Sequence, residues 1–194
     1  MKIIHLSDTH VDPEILHNID SQKRFKQALN HIKDNHTDAD HFMITGDLTH
    51  FGNDESYQIF IKILSGAELP DRLYPKLILG NHDNRENFKK HFPNIKTDEN
   101  GFVQYIEKDG DKSFIFLDTN LANTDAGHLC NKRQQWLRDI LEKEQKNKIY
   151  IFMHHNPLAI GHINSDGIGL VQREDLKKIL LNYQNSIQHI FFGH

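Results

Sequence analysis

Asp8-Thr9-His10, Gly46-Asp47, Gly80-Asn81-His82-Asp83, His154-His155 and Gly193-His194 each follow an apolar run in this 194-residue chain. Carboxylates and imidazoles are hard and borderline ligands for ions such as Mn, Fe or Zn, and in open α/β sheets ligands collect where strands end. One such cluster is ordinary turn and cap chemistry. Five in succession predict a two-metal hydrolytic site. Asp8 and His10, two apart beyond a strand, would project to one side of an extended backbone and reach one ion. Gly46 lets the chain approach closely, so that the two oxygens of Asp47 can bridge two cations. Asn81 offers a neutral carbonyl oxygen to the second ion, and His82 beside it is a proton donor for substrate. Asp83 is placed to orient the His82 ring from behind. Imidazole nitrogens of His154 and His194 would complete the second ion.

The elements that must hold these residues are legible as periods. Ile3 to Leu6, Phe42 to Thr45, Leu77 to Leu79, Phe114 to Leu117, Ile149 to Met153 and Ile187 to Phe192 are short apolar runs, mostly without alternation, as in buried strands. Phe25, Ala28, Leu29 and Ile32 recur at helical spacing, as do Tyr57, Phe60, Ile61 and Leu64. Further helices carry Trp136, Leu137, Ile140 and Leu141, then Leu176, Ile179 and Leu180, with Asp20, Asn53, Asn84 and Asn131 as N-caps. Asp109-Gly110 between two β-prone runs predicts a hairpin. Strands and helices therefore alternate in an α/β sandwich with a mixed sheet, one domain over 1–194. Pro157 to Val171, with three glycines and His162, is long enough for a lid or substrate loop.

Composition narrows the partners. Lys and Arg total 23 against 27 Asp and Glu, a formal charge of −4, so no global basic field favours nucleic acid. Arg85, Lys89, Lys90 and His91 form the one compact basic group and read as a solvated helix face. A single cysteine, Cys130, excludes an internal disulfide and reads as inert packing. The N-terminus turns polar at Ser7-Asp8, too early for a signal peptide, and no apolar run approaches a membrane span. A cytoplasmic protein is expected. His128 and His162, in loops, are candidate substrate contacts; most other histidines read as surface residues.

These motifs resemble the calcineurin-like metallophosphoesterase superfamily, whose pattern is D-x-H, G-D, G-N-H-[DE], H and G-H-x-H. Gly46-Asp47-Leu48-Thr49, Gly80-Asn81-His82-Asp83 and Met153-His154-His155-Asn156-Pro157 look most like its class III cyclic-nucleotide phosphodiesterase and glycerophosphodiesterase branch. The resemblance implies an αββα sandwich with mixed β-sheets. It implies a first metal on Asp8, His10 and Asp47, and a second on Asp47, Asn81, His154 and His194. Asp47 bridges the two, and His82 and Asn81 face the substrate. It further implies two divalent or trivalent ions (Mn, Fe or Zn), a bridging hydroxide, and a small phosphodiester monoanion matched to a site of about one net positive charge. His50 departs from the Asp often found there, and His155-Asn156-Pro157 from the usual His-Pro-Pro. The family's second His of G-H-x-H would lie beyond His194, so the C-terminal part reads as truncated and the first metal as short of one imidazole.

Other readings are a phosphomonoesterase or protein phosphatase, a nuclease, or a non-catalytic metal-binding scaffold of the same superfamily. Asp83 in place of Glu, and His50-Phe51-Gly52 where an Arg would stand, speak against the protein phosphatase.

Overall fold

The computed structural model describes residues 1–194. Its elements alternate as the periods predict. Strands β1 (Ile3–Leu6), β2 (His41–Thr45) and β3 (Lys76–Ile78) form a three-stranded parallel sheet in that order. β4 (Tyr105–Asp109), β5 (Lys112–Phe116), β6 (Lys148–Phe152) and β7 (Ile187–Phe191) form a second sheet in that order. There β4 and β5 are antiparallel and the rest parallel. In the hairpin Asp109 still pairs with Lys112, so the two-residue loop is Gly110-Asp111, one position later than expected. Gly110 takes φ +58°, the left-handed turn conformation that glycine adopts at no steric cost.

Helix α1 (Ser21–Asn35) starts where the Asp20 carboxylate accepts from the Lys23 N–H at 2.8 Å, and it buries the stripe Phe25, Leu29 and Ile32. Asn53 caps α2 (Asp54–Gly66) and Asn84 caps α3 (Arg85–His91) in the same way. Asn131 does not cap: it is the first residue of α4 (Asn131–Glu144), and Cys130 occupies the cap position without a side-chain bond. Two short helices follow, α5 (Ile163–Ile168) and α6 (Arg173–Leu181).

The layers are αββα, and two apolar clusters fill them. The larger joins α1, α2 and both faces of β2 to the inner aromatic face of the second sheet, including Phe114, Phe116 and Phe152. His5 and His41 of the first sheet meet those rings, at 6.4 Å from Phe152 and 4.6 Å from Phe114. The smaller cluster packs Leu137, Leu141, Leu176 and Ile179 of α4 and α6 on Ile115, Ile149 and Ile151 of the opposite face. Phe152 stacks between Phe116 at 5.1 Å and Phe191 at 4.8 Å, and such pairs add about 0.5–1.5 kcal/mol each beyond their burial. The 157–171 stretch is not a structureless loop, since α5 lies inside it. No helix is long and apolar enough to cross a membrane.

Candidate metal centre

The ends of β1, β2 and β3 bring Asp8, His10, Asp47 and Asn81 to one edge of the sandwich, and the ends of β6 and β7 bring His154 and His194 to the same place. Asp47 is the hub. Its Oδ2 lies 3.5 Å from His10 Nε2 and 3.4 Å from His154 Nε2, while Oδ1 accepts the His82 N–H at 2.9 Å. One oxygen thus faces both histidines, where the sequence suggested one oxygen for each cation. Burial alone would raise the Asp47 pKa, but the hydrogen bond and charge of His154 hold it well below the usual carboxylate range. For the same reason Asp47 raises His154 against its own burial.

The donor chemistry fits a cation. His154 Nδ1 lies 2.9 Å from the Thr45 carbonyl, an acceptor only, so Nδ1 carries a proton. Its Nε2 then faces Asp47 Oδ2 at 3.4 Å, Asn81 Oδ1 at 3.1 Å and His194 Nδ1 at 3.2 Å. A single proton on Nε2 satisfies one of these at most. Ligands bonded at about 2.0–2.2 Å to one ion stand roughly 3–3.6 Å apart, and the three contacts of His154 Nε2 fall in that range. His194 Nε2 faces the Ile168 carbonyl of α5 at 3.2 Å, which aims its Nδ1 inward. Asp8 Oδ1, His10 Nε2 and Asp47 Oδ2 make a second, looser set, with His10 Nε2 3.9 Å from Asp8.

The backbone there is unusual. Asp8, His10, Asp47 and His194 have φ of 58°, 42°, 49° and 71°. Non-glycine residues in this region are uncommon and cluster at functional sites. The extended backbone expected for Asp8-Thr9-His10 is therefore wrong. The segment stays beside Gly46–Leu48 through Asp8 N–H to Gly46 O, His10 N–H to Asp47 O and Val11 N–H to Leu48 O, while left-handed residues turn both side chains inward. Gly46 lets three strand ends converge: with φ +89°, a Cβ there would stand 2.6 Å from Gly80 N and 2.7 Å from His154 Nδ1.

Asp83 does not orient His82. Its buried carboxylate accepts from Gly80 N–H, Leu48 N–H, Thr49 N–H, Thr49 Oγ1 and Tyr57 Oη, tying the Asp47 loop to the Asn81 loop. Burial and the charge of Asp47 raise its pKa against these donors. His82 Nδ1 instead faces the His50 carbonyl at 2.8 Å. His155 is fully buried, with Nδ1 on Thr119 Oγ1 at 2.7 Å. Burial pushes it down to about 2, so it is neutral.

One network escaped sequence reasoning. Asp118, fully buried, accepts from Arg85 Nε at 2.7 Å, Arg85 Nη2 at 2.9 Å and Arg133 Nη1 at 3.3 Å. Asn120 Nδ2 donates to the Gly80 carbonyl at 2.7 Å and the Asp83 carbonyl at 2.9 Å, bracketing Asn81 and His82. Asp118-Thr119-Asn120 is a further polar cluster just past an apolar run, the same signal that marked the other five. Arg85 is thus no part of a solvated basic face, and Lys89, Lys90 and His91 pair with Glu86 and Asp54. His128 Nδ1 sits 3.2 Å from Arg133 Nη2, and His162 caps α5. Cys130 is half-buried rather than sealed in a core. Burial would raise its thiol pKa, but hydrogen bonds and charge from Arg133 lower it.

Cavities flank the centre on two sides. One of about 450 Å³ is lined by Asn81, His82, Phe51, Asn84 and Asn120. Another of about 370 Å³ is lined by Asp8, His10, His50, Arg24 and Phe25.

The family pattern for calcineurin-like phosphoesterases matches residues 1–194. A probable cyclic nucleotide phosphodiesterase of Rhodopseudomonas palustris is 30% identical, the match covering 100% of this chain and 71% of the relative. A probable glycerophosphodiester phosphodiesterase GpdQ of Arcobacter nitrofigilis is also 30% identical, over 95% of this chain and 68% of the relative. A 3′,5′-cyclic adenosine monophosphate phosphodiesterase CpdA of Pseudomonas aeruginosa is 24% identical over 99% and 68%. With strand ends converging on Asp47 and a pattern that runs from the first residue to the last, the chain belongs to the calcineurin-like phosphoesterase family.

Proposed function

We propose that this phosphoesterase hydrolyses a small phosphodiester, a cyclic nucleotide or a glycerophosphodiester, at a two-metal centre. The observation that carries the reading is the convergence of Asp47 Oδ2, Asn81 Oδ1 and His194 Nδ1 on Nε2 of His154, beside His82. Asp47, Asn81, His154 and His194 would hold one ion. Asp8, His10 and the shared Asp47 would hold the other, less firmly because this set has one donor fewer. When bound, such ions supply Lewis acidity toward phosphate oxygens and water.

The chain's own residues do the rest. The His50 carbonyl fixes the proton of His82 on Nδ1, leaving Nε2 to meet the substrate in the 450 Å³ cavity. Protonated there, His82 stabilises charge on the phosphate and passes the Nε2 proton to the leaving alkoxide. The Asn120 amide holds the Asn81–His82 turn in register with this geometry. Cavities of 370 and 450 Å³ suit a small organic group on either side of a phosphate, within the usual range of roughly 300–1,000 Å³. A charge of −4 and a basic cluster already paired with acids leave no track for a polynucleotide.

The test is a panel with added Mn: 3′,5′-cyclic AMP, glycerophosphocholine and bis(p-nitrophenyl) phosphate against p-nitrophenyl phosphate. Diesters should turn over with the higher kcat/KM. Faster monoester hydrolysis would favour the phosphomonoesterase reading, and metal uptake without any hydrolysis the scaffold reading.

A further inference from the structure

We infer that His50 is a positioning residue that sets the tautomer of His10 through its ring and that of His82 through its carbonyl. This rests on the metal-centre reading above. His10 turns Nε2 toward Asp8 and Asp47, so as a ligand that nitrogen is bare and the ring proton sits on Nδ1. The atom facing His10 Nδ1 is His50 Nδ1, at 3.3 Å. His50 Nδ1 must accept, and His50 keeps its own proton on Nε2.

The main chain of the same residue does the second task. The His50 carbonyl, an acceptor only, lies 2.8 Å from His82 Nδ1 and makes His82 an Nδ1–H tautomer. The two rings stack, with centroids 4.7 Å apart and planes at 27°, so His50 also limits rotation of His82. His50 is itself held, its N–H donating to the Val11 carbonyl at 3.3 Å. The carboxylate one would expect in this role, Asp83, is fully engaged elsewhere. A single half-buried residue therefore serves a candidate ligand through its ring and the substrate-facing histidine through its carbonyl.

The rival is a direct role, because His10, His50 and His82 lie close enough to hold an ion among themselves. His50→Leu, His50→Asn and His50→Gln separate the two, since the Asn amide oxygen stands near the place of Nδ1 and the Gln oxygen near Nε2. Mn affinity of the weaker site is measured by titration calorimetry, and the His10 tautomer by ¹⁵N spectra of the Zn-loaded protein. The Leu variant should weaken that site by about 10- to 100-fold, the usual range for losing a group that orients a ligand, with Asn recovering most of it and Gln little. Wild-type affinity in the Leu variant, rescue by Gln but not Asn, or loss of a whole metal equivalent in the Asn variant would overturn the inference. Should the Leu variant fail to fold, the Asn and Gln comparison decides alone. A wild-type chain that takes up no Mn would overturn the metal-centre reading itself.

Discussion

Asp47 presents one oxygen, Oδ2, to both His10 and His154 and spends the other on the His82 N–H. Asp47→Asn is therefore expected to remove both ions at once, because the shared oxygen loses its charge while the backbone bond to Oδ1 can persist. Elemental analysis showing two metals per chain in that variant would refute the shared oxygen. His82→Ala should keep its metals and lose on the order of 10²–10⁴ in kcat on a diester with a poor leaving group. An unchanged rate would remove His82 from the chemistry. At this scale the sequence displayed the residue types well, since five carboxylate and imidazole clusters in succession exceed what turn and cap chemistry requires. It did not display orientation: which Asp47 oxygen is shared, and that Asp83 binds five donors rather than a ring, depend on left-handed backbone at Asp8, His10 and Asp47. Asp and His are enriched in this conformation, but from so low a base that their presence does not announce it.

The loop after β5 reaches across to the loop beyond β3 through the Asn120 side chain, as Asp118 beside it reaches Arg85 of α3. Asn120→Ala strips hydrogen bonds from the Gly80 and Asp83 carbonyls in a buried setting. This costs about 1–3 kcal/mol, or roughly 2–12 °C in Tm, and kcat should fall with it because Asn81 and His82 lie between the two carbonyls. Equal Tm and kcat in variant and wild type would show the bracket to be idle. On α4, burial would raise the pKa of Glu144, but Lys108, Ser113 and Asn147 lower it. The folded value lies below the unfolded one, so this stabilisation is present above the unfolded carboxylate pKa and is lost as pH falls through the folded one. Glu144→Gln should thus lower Tm at neutral pH and reduce the loss of stability on acidification; parallel Tm–pH curves would contradict the pairing. Helical stripes such as Phe25, Leu29 and Ile32 were legible because burial imposes a period. Arg85 was not, because its partner Asp118 is 33 residues away and only the packed loop joins them.

Across the molecule, the two sheets meet through aromatic rings in the middle and through the Asp47 cluster at one edge. Ions bound only by the folded chain add stability by mass action, about 2.7 kcal/mol at a hundredfold excess over Kd. Chelation should accordingly lower Tm by roughly 5–11 °C, and restored Mn should recover it. A Tm indifferent to both treatments would mean that no ion spans the sheets. The alternation of strands and helices made the layered architecture readable in advance. The division into two sheets came only from the family resemblance and not from the periods, because an apolar run carries no mark of which neighbour it will pair with.

That division follows the order of the chain. The first sheet is complete by Ile78 and the second begins at Tyr105, so Asp8, His10, Asp47 and Asn81 belong to one half, and His154 and His194 to the other. Translation at about 5–20 residues per second separates the appearance of Asp47 from that of His154 by roughly 5–20 s. Throughout that interval the emerging chain carries Asp8, His10, Asp47 and Asn81 without His154 and His194, a candidate ligand set with one imidazole instead of three and so weighted toward oxygen. On the proposed reading, the nitrogen donors that favour borderline ions over Mg would thus be completed only with β6 and β7, after every residue of the first sheet is already made.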